Sequence, residues 1–182
     1  MPSDFSQMHA RLDAYALRWP DEATSALTFS EFLRSDSAVF ERRFPAGHFT
    51  GSAWLVSADG ARVLLMHHRK LGLWLQPGGH ADGDPDLARV ALREAQEETG
   101  VIDLRVEGGI FDLDRHCIPG RANEPEHWHY DVRYVVRADS DESFTINEES
   151  HALAWRSVAE VAVDETLDAS LRRMARKWLA RT

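Results

Sequence analysis

The chain has 182 residues, a length that fits one domain with an extension better than two full domains. Hydrophobic residues make up 43% of the sequence and charged residues 28%, the balance of a globular protein that can bury a core. The formal net charge of −9 disfavours binding of long nucleic acid, which requires a basic surface.

The sequence offers little indication of a membrane segment, a signal peptide or a disulfide bond. No apolar run approaches the roughly 20 residues that span a bilayer, so we expect no membrane partner. Residues 1–5 lack the basic and apolar pattern of a signal peptide. The single cysteine, Cys117, cannot form an internal disulfide and has no Cys-x-x-Cys partner. These features predict a cytoplasmic protein.

The N-terminal segment predicts helices. An apolar stripe recurs at steps of three and four residues, the period of one helix face: Phe5, Met8, Leu12 and Tyr15. Pro20 ends or kinks this helix, and a second helical pattern contains Phe29 and Phe32. We interpret residues 1–45 as a helical extension that packs on the core or on a second subunit, because the stripe would otherwise be exposed. A homodimer is the expected assembly.

Residues 46–182 read as one further domain that mixes strands and helices. Predicted strands cover residues 49–57, 62–67, 104–113, 130–138 and 153–155. Predicted helices run from a cap at Asp84 to Thr99, with Gly100 as the stop, and from about Asp164 onward. Residues 72–83 and 116–126 read as loops. Elements mixed in this way predict an α/β fold with a mixed sheet packed by helices.

Three glutamates provide the chemical signal. Glu94, Glu97 and Glu98 stand at positions i, i+3 and i+4 of a predicted helix, so they share one face. Like charges this close repel each other, and a divalent cation relieves the repulsion. Carboxylate oxygens are natural ligands of Mg²⁺ or Mn²⁺. Taken alone, the spacing also fits a solvated acidic surface.

The surrounding residues add a family resemblance. The stretch from Gly79 to Val101 resembles the Nudix box, G-x5-E-x7-R-E-U-x-E-E-x-G-U, in which U is aliphatic. The matching positions are Gly79, Arg93, Glu94, Ala95, Glu97, Glu98, Gly100 and Val101. Residues 73–79 also resemble the lead-in common in this family. The resemblance covers residues 48–163.

One position departs from the pattern, because Pro85 stands where the box has a glutamate. In the family that glutamate usually pairs with the box arginine, here Arg93. We expect Asp82, Asp84 or Asp86 to take over the pairing, or the loop to be held in another way.

The resemblance implies an α/β/α sandwich with a strand–loop–helix–loop catalytic unit. It implies Mg²⁺ or Mn²⁺ bound by Glu94, Glu97, Glu98 and the backbone carbonyl of Gly79, with Arg93 in the catalytic unit. The implied reaction is attack of water on a diphosphate that links a nucleoside to a sugar, a second nucleotide or a related moiety.

The general base stays open between a box glutamate, such as Glu97 or Glu98, and a later loop. In that loop we favour Glu149 over Glu148, although a surface acidic loop would look the same.

Further residues are candidates for substrate binding. Arg69 and Lys70 precede the glycine-rich loop and suit a phosphate group. His80 follows the double glycine, and His129 belongs to a His-x-His pair whose imidazoles share one strand face, a pattern that suits either a metal ion or hydrogen bonds to phosphates. A solvated turn and ordinary sheet packing are the structural alternatives for these two groups.

Two other functions compete with hydrolysis. One is a non-catalytic Nudix-like module that senses a nucleotide, and the other is a structural module assembled through residues 1–44. Erosion of the glutamates would mark a sensor, and here they are intact. The sequence therefore favours a hydrolase acting on a small nucleotide-type substrate.

Overall fold

The computed structural model describes residues 3–120, 125–148 and 150–181. The helices are α1 (Ser3–Arg18), α2 (Ala23–Ser35), α3 (Leu87–Thr99), α4 (Val158–Val161) and α5 (Ala169–Leu179), and a 3-10 turn (Pro20–Glu22) joins the first two. The strands are β1 (Gly47–Val56), β2 (Arg62–His68), β3 (Trp74–Leu75), β4 (Gly78–His80), β5 (Leu104–Ile118), β6 (His127–Ala138) and β7 (Ser150–Ser157). None of the described helices is both long and apolar enough to cross a membrane.

The seven strands of the described residues belong to one sheet, and this sheet is mixed, as predicted. The main path runs β3-β2-β1-β6-β5, while β4 pairs with β1 and β7 pairs with β2. Strand β1 is parallel to β6, and the other pairings are antiparallel. The short β4 therefore lies along the first half of β1, at Thr50 to Ser52.

Helices cover both faces of this sheet, because side chains alternate between faces along each strand. Phe49, Ala53 and Leu55 of β1 join a buried cluster with apolar residues of α1, α2 and α3. Trp54 and Val56 point the other way and join a cluster with α4 and α5. This arrangement is the predicted α/β/α sandwich.

The N-terminal extension packs on the core of its own chain. Met8, Leu12 and Tyr15 are 1–2% exposed within the α1–α3 side of the molecule. Phe32 of α2 stacks on Tyr130 of β6 with ring centroids 3.7 Å apart. The apolar stripe is thus covered without a second subunit.

The start of α3 differs from the prediction. The helix begins at Leu87, and Asp84 is not its cap. The Asp84 carboxylate accepts from the Asp86 N–H at 2.9 Å and pairs with Arg89 at 2.6 Å, so it closes the turn before the helix. At the other end, Gly100 adopts the left-handed conformation expected of a helix stop, with φ 72°.

Other boundaries also shift. The predicted loop at 72–83 contains β3 and β4, and β5 continues to Ile118, into the other predicted loop. The last helix begins at Ala169, where the Asp168 carboxylate accepts from the Ser170 N–H at 2.7 Å. Helix α4 was missed because four residues are too few to show a period.

A buried ion network joins the two ends of the chain. Lys177 of α5 donates to Asp112 at 2.8 Å, to Glu22 at 2.7 Å and to the Tyr15 hydroxyl at 3.0 Å. Asp112 is fully buried and also pairs with Arg173 at 2.7 Å. Buried charges in one network are costly to separate, so Lys177 ties the N-terminal extension to the C-terminal helix.

Lys177→Met should therefore destabilise the protein by about 3–5 kcal/mol, because it removes a buried cation that pairs with both Asp112 and Glu22 and leaves the buried network with excess negative charge. Arg176→Met on the exposed side of the same helix should cost about 1 kcal/mol, the loss of one bond to a carbonyl. Chemical denaturation of both variants measures the difference. Equal losses of unfolding free energy in the two variants would show that the network does not hold the termini together.

Candidate active site

The three glutamates project from one face of α3 but differ in exposure. Glu98 is 7% exposed, Glu94 is half-buried and Glu97 is exposed. The face therefore runs from the protein interior to solvent, so that a charged ligand could approach from the Glu97 side.

Strand β4 lies directly against this face. The Gly78 N–H donates to a Glu98 carboxylate oxygen at 2.8 Å. A Cβ on Gly79 would overlap the Glu94 carboxylate, and a Cβ on Gly78 would overlap the Ser52 side chain. A side chain at Gly78 would also meet the Ser52 backbone, and one at Gly79 would displace the Glu94 carboxylate, so the two glycines let β4 fit between β1 and α3 with Glu94 in place.

Arg93 holds the Glu94 carboxylate. Its Nη2 donates to Glu94 Oε1 at 2.8 Å and to the His80 carbonyl at 3.1 Å. Of the two expected alternatives, these contacts match the second, in which the loop is held in another way than by an aspartate paired with Arg93. Asp84 pairs with Arg89, and Asp86 pairs with Arg11 of α1 at 3.0 Å.

The carboxylates raise one another's affinity for a cation. Burial raises the pKa of Glu94 above its usual range, and the charges of Glu97 and Asp82 raise it further, while Arg93 opposes the shift. Excess negative charge at a half-buried carboxylate is relieved by a proton or by a bound cation. The site is therefore electrostatically suited to a divalent ion.

The later acidic loop runs beside the C-terminal end of α3. The Thr145 N–H donates to the Thr99 carbonyl at 2.7 Å, and Asn147 Nδ2 donates to the Glu97 carbonyl at 3.4 Å. Glu148 is exposed, and Glu149 lies outside the described residues. The loop thus packs against the C-terminal turn of α3.

The basic turn lies near the same loop. Both Arg69 and Lys70 are exposed, and Arg69 Nη2 donates to the Ser150 carbonyl at 3.3 Å. This contact places Arg69 beside Ser150, the first residue of β7, which follows the predicted base Glu149 in the sequence.

Five of the nine histidines gather on the sheet. Strand pairing sets His48 beside His129, and His129 beside His116. The ring of His80 lies 4.9 Å from that of His48, and His127 Nε2 lies 3.3 Å from His129 Nε2. The sequence indicated His80 and the 127–129 pair, but His48 and His116 join them through strand register, which a linear pattern does not show.

These histidines lie on the sheet face opposite α3. Gly79 faces Glu94 of α3, so its neighbour His80 points the other way. Burial lowers the pKa of His48 to about 3, with His80 and His127 adding to the effect. Burial and the neighbouring imidazoles likewise lower the pKa of His129 to about 2. Both rings are neutral at ordinary pH.

The two prominent tryptophans have neighbours within the chain. The Arg115 guanidinium lies 3.9 Å from the centre of the Trp128 ring, so a cation already covers one face that could stack on a base. Trp74 contacts His67 and packs beside the cluster that contains α5, so its contacts are those of a packing residue.

Comparison with known proteins agrees with the fold and the motif. The NUDIX domain model matches residues 48–179. A human protein described as nucleoside diphosphate-linked moiety X motif 6 is 27% identical over 140 residues, which cover 74% of this chain and 42% of that protein. A putative 8-oxo-dGTP diphosphatase 3 of Mycobacterium tuberculosis is 32% identical over 111 residues, which cover 57% of this chain and 48% of that protein. The chain thus spans less than half the length of these relatives.

A Caenorhabditis elegans (C. elegans) Ap4A hydrolase in a binary complex has the same fold. Its TM-score is 0.58 at 16% identity, over 72% of this chain and 95% of that one. The family model covers most of the chain, the box residues stand on α3 beside the double-glycine strand, and the sheet is of the expected type. The chain therefore belongs to the NUDIX domain family.

Proposed function

We propose that the protein hydrolyses a diphosphate linkage in a nucleoside diphosphate joined to another moiety, such as a sugar or a second nucleotide. One observation carries the proposal: the carboxylates of Glu94 and Glu98 lie against the double-glycine strand, with the box pattern intact except at Pro85. The relatives named for nucleoside diphosphate derivatives and for diphosphatase activity support the same chemistry.

The proposed cofactor is Mg²⁺ or Mn²⁺. The residues fit such an ion, because hard oxygen donors from Glu94, Glu97 and Glu98 share one face and Gly79 lies so close to Glu94 that an added Cβ would overlap its carboxylate. We propose these carboxylates and the Gly79 carbonyl as ligands. When bound, a divalent ion neutralises diphosphate charge and makes a water more acidic.

The protein's own groups orient this site. Arg93 holds the Glu94 carboxylate and the chain at His80 in fixed positions, while the Gly78 N–H holds Glu98. The proposed catalytic role of Arg93 is therefore positioning, in place of the pairing that Pro85 cannot provide. Pre-set carboxylates lose little freedom when a ligand arrives.

We propose Glu149 as the general base that removes the proton of the attacking water. Its neighbours support this, since Asn147 contacts the Glu97 carbonyl and Ser150 begins β7. Glu148, Glu97 and Glu98 are the alternatives. Arg69 and Lys70, exposed beside this loop, are proposed to bind substrate phosphate.

The prediction that His80 and His129 bind substrate has less support. They lie on the face opposite α3, and a neutral His129 lacks the charge that favours a phosphate. A cytoplasmic location remains a proposal, for which the free Cys117 is the argument. The homodimer also remains a proposal, and it no longer draws support from the apolar stripe that α1 buries.

Turnover should require a divalent cation. We expect a panel of nucleoside diphosphate sugars, dinucleotides and nucleoside triphosphates to reveal a substrate with Mg²⁺, scored by chromatography of the products. Chelation should abolish turnover, and Mg²⁺ or Mn²⁺ should restore it. Undiminished turnover after chelation would refute the metal site, and tight nucleotide binding without turnover would identify a sensor instead.

Two substitutions of Glu98 should separate catalysis from folding. Glu98→Gln keeps an acceptor for the Gly78 N–H and removes a like charge, so the metal-free protein should melt at the parent temperature or slightly higher. Glu98→Ala loses the acceptor and should cost about 1–3 kcal/mol. Both should lower kcat by roughly 10²–10³.

Gln96→Ala on the exposed side of the same helix is the control and should retain both stability and activity. Thermal melts without metal and steady-state rates provide the two readouts. Normal turnover by Glu98→Gln would show that the acidic face of α3 is only a solvated surface.

The double variant Arg69→Ala, Lys70→Ala should raise KM roughly tenfold, equivalent to about 1.4 kcal/mol of lost binding, with a smaller change in kcat. Arg105→Ala, which removes an exposed cation paired with Asp139, should leave KM unchanged. If the two variants behave alike in steady-state assays, the 69–70 pair belongs to the solvated turn.

A further inference from the structure

We propose that His48, His80 and His129 bind a transition-metal ion of the zinc class, at a site separate from the glutamates of α3. The proposal does not depend on the hydrolase activity. It rests on how three strands gather the imidazoles, on the burial of one of them, and on the hydrogen bonds around another.

The sheet places the three rings together. His48 of β1 pairs in register with His129 of β6, and His80 of β4 pairs with Thr50, two residues along β1 on the same face. One ligand atom from each histidine lies within 4.8 Å of the others. Nitrogen ligands of a tetrahedral zinc ion stand about 3.3 Å apart, so small side-chain rotations would close the site.

His48 is the buried member that points to a ligand. It is 0% exposed, and neither ring nitrogen has a hydrogen-bond partner among the residues that the structure describes. An unsatisfied buried polar group costs about 1–3 kcal/mol. A histidine that served only packing would have at least its N–H paired, whereas a metal ion accepts the ring lone pair directly.

His127 supports the neighbouring ligand. A carbonyl can only accept, so the 3.0 Å contact with Pro125 O identifies Nδ1 of His127 as the protonated nitrogen. In the neutral ring Nε2 then carries the lone pair, and it lies 3.3 Å from His129 Nε2. This is also about the separation of two nitrogens on one zinc ion, so His127 serves either as an orienting partner or as a fourth ligand.

The ligand chemistry selects the class of ion. Imidazole nitrogen suits zinc and its neighbours, while Mg²⁺ prefers the oxygen ligands of the glutamate face. Gly79 and His80 are adjacent in β4 but point to opposite faces of the sheet, the first toward α3 and the second toward the other histidines. A zinc ion would therefore fix β4 from the face opposite Glu94 and hold β1, β4 and β6 together.

Zinc titration of the full chain tests the site. Chelator-treated protein is dialysed against excess Mg²⁺, which occupies the glutamates, and then against increasing Zn²⁺ with metal analysis. We expect one equivalent of zinc per chain, a higher melting temperature, and, with Co²⁺ in place of Zn²⁺, the intense visible absorption of four-coordinate cobalt.

His80→Gln and His129→Gln are the test variants, because both side chains are partly exposed and their loss should leave the fold intact. Substitution of His48 is avoided, because this side chain is buried and its loss would disturb folding. Each should weaken zinc binding by at least about tenfold. His151→Gln, an exposed histidine of β7, and Glu98→Gln should bind zinc like the parent. No stoichiometric binding, unchanged binding by both test variants, or loss of zinc in Glu98→Gln alone would overturn the proposal.

Discussion

The fit of a two-glycine strand between β1 and α3 is the constraint on which the site depends. Side chains at Gly78 and Gly79 would overlap Ser52 on one side and the Glu94 carboxylate on the other. Without side chains, the β4 backbone approaches the helix closely enough for the Gly78 N–H to hold Glu98 at 2.8 Å. The mutual repulsion of the carboxylates is thus offset at Glu98 by the Gly78 N–H and at Glu94 by Arg93.

A buried polar network connects Ser52, the neighbour of Gly78, to other parts of the fold. Asp131 of β6 accepts from Ser52 at 2.7 Å and from Arg133 at 2.7 Å, and Arg133 contacts Asp112. Asp112 in turn binds Lys177, which reaches the N-terminal extension. Residues far apart in the chain therefore position Ser52, against which Gly78 packs. The extension packs as part of the sandwich, and Arg11 links it directly to the start of α3.

Local patterns predicted much of this arrangement. The spacing of Glu94, Glu97 and Glu98, the stop at Gly100 and the stripe on α1 all depend on helical period, which is visible in the sequence. The gathering of His48 with His129 depends on strand register and joins residues far apart in sequence, so no local pattern indicates it. The pairing of Arg93 with Glu94 and the cap at Asp168 join near neighbours, but they depend on side-chain and turn geometry that residue spacing does not fix. The role of Glu149 stays a prediction.

We propose that the α3 carboxylates, with the Gly79 backbone, hold the catalytic cation. Anomalous diffraction from crystals of the full chain grown with Mn²⁺ and a non-hydrolysable dinucleotide can locate that cation. We expect a manganese peak bounded by Glu94, Glu97 and Glu98, with the diphosphate beside it, and no such peak in crystals of Glu98→Gln. Manganese found elsewhere, with this helix face bare, would refute the proposed site.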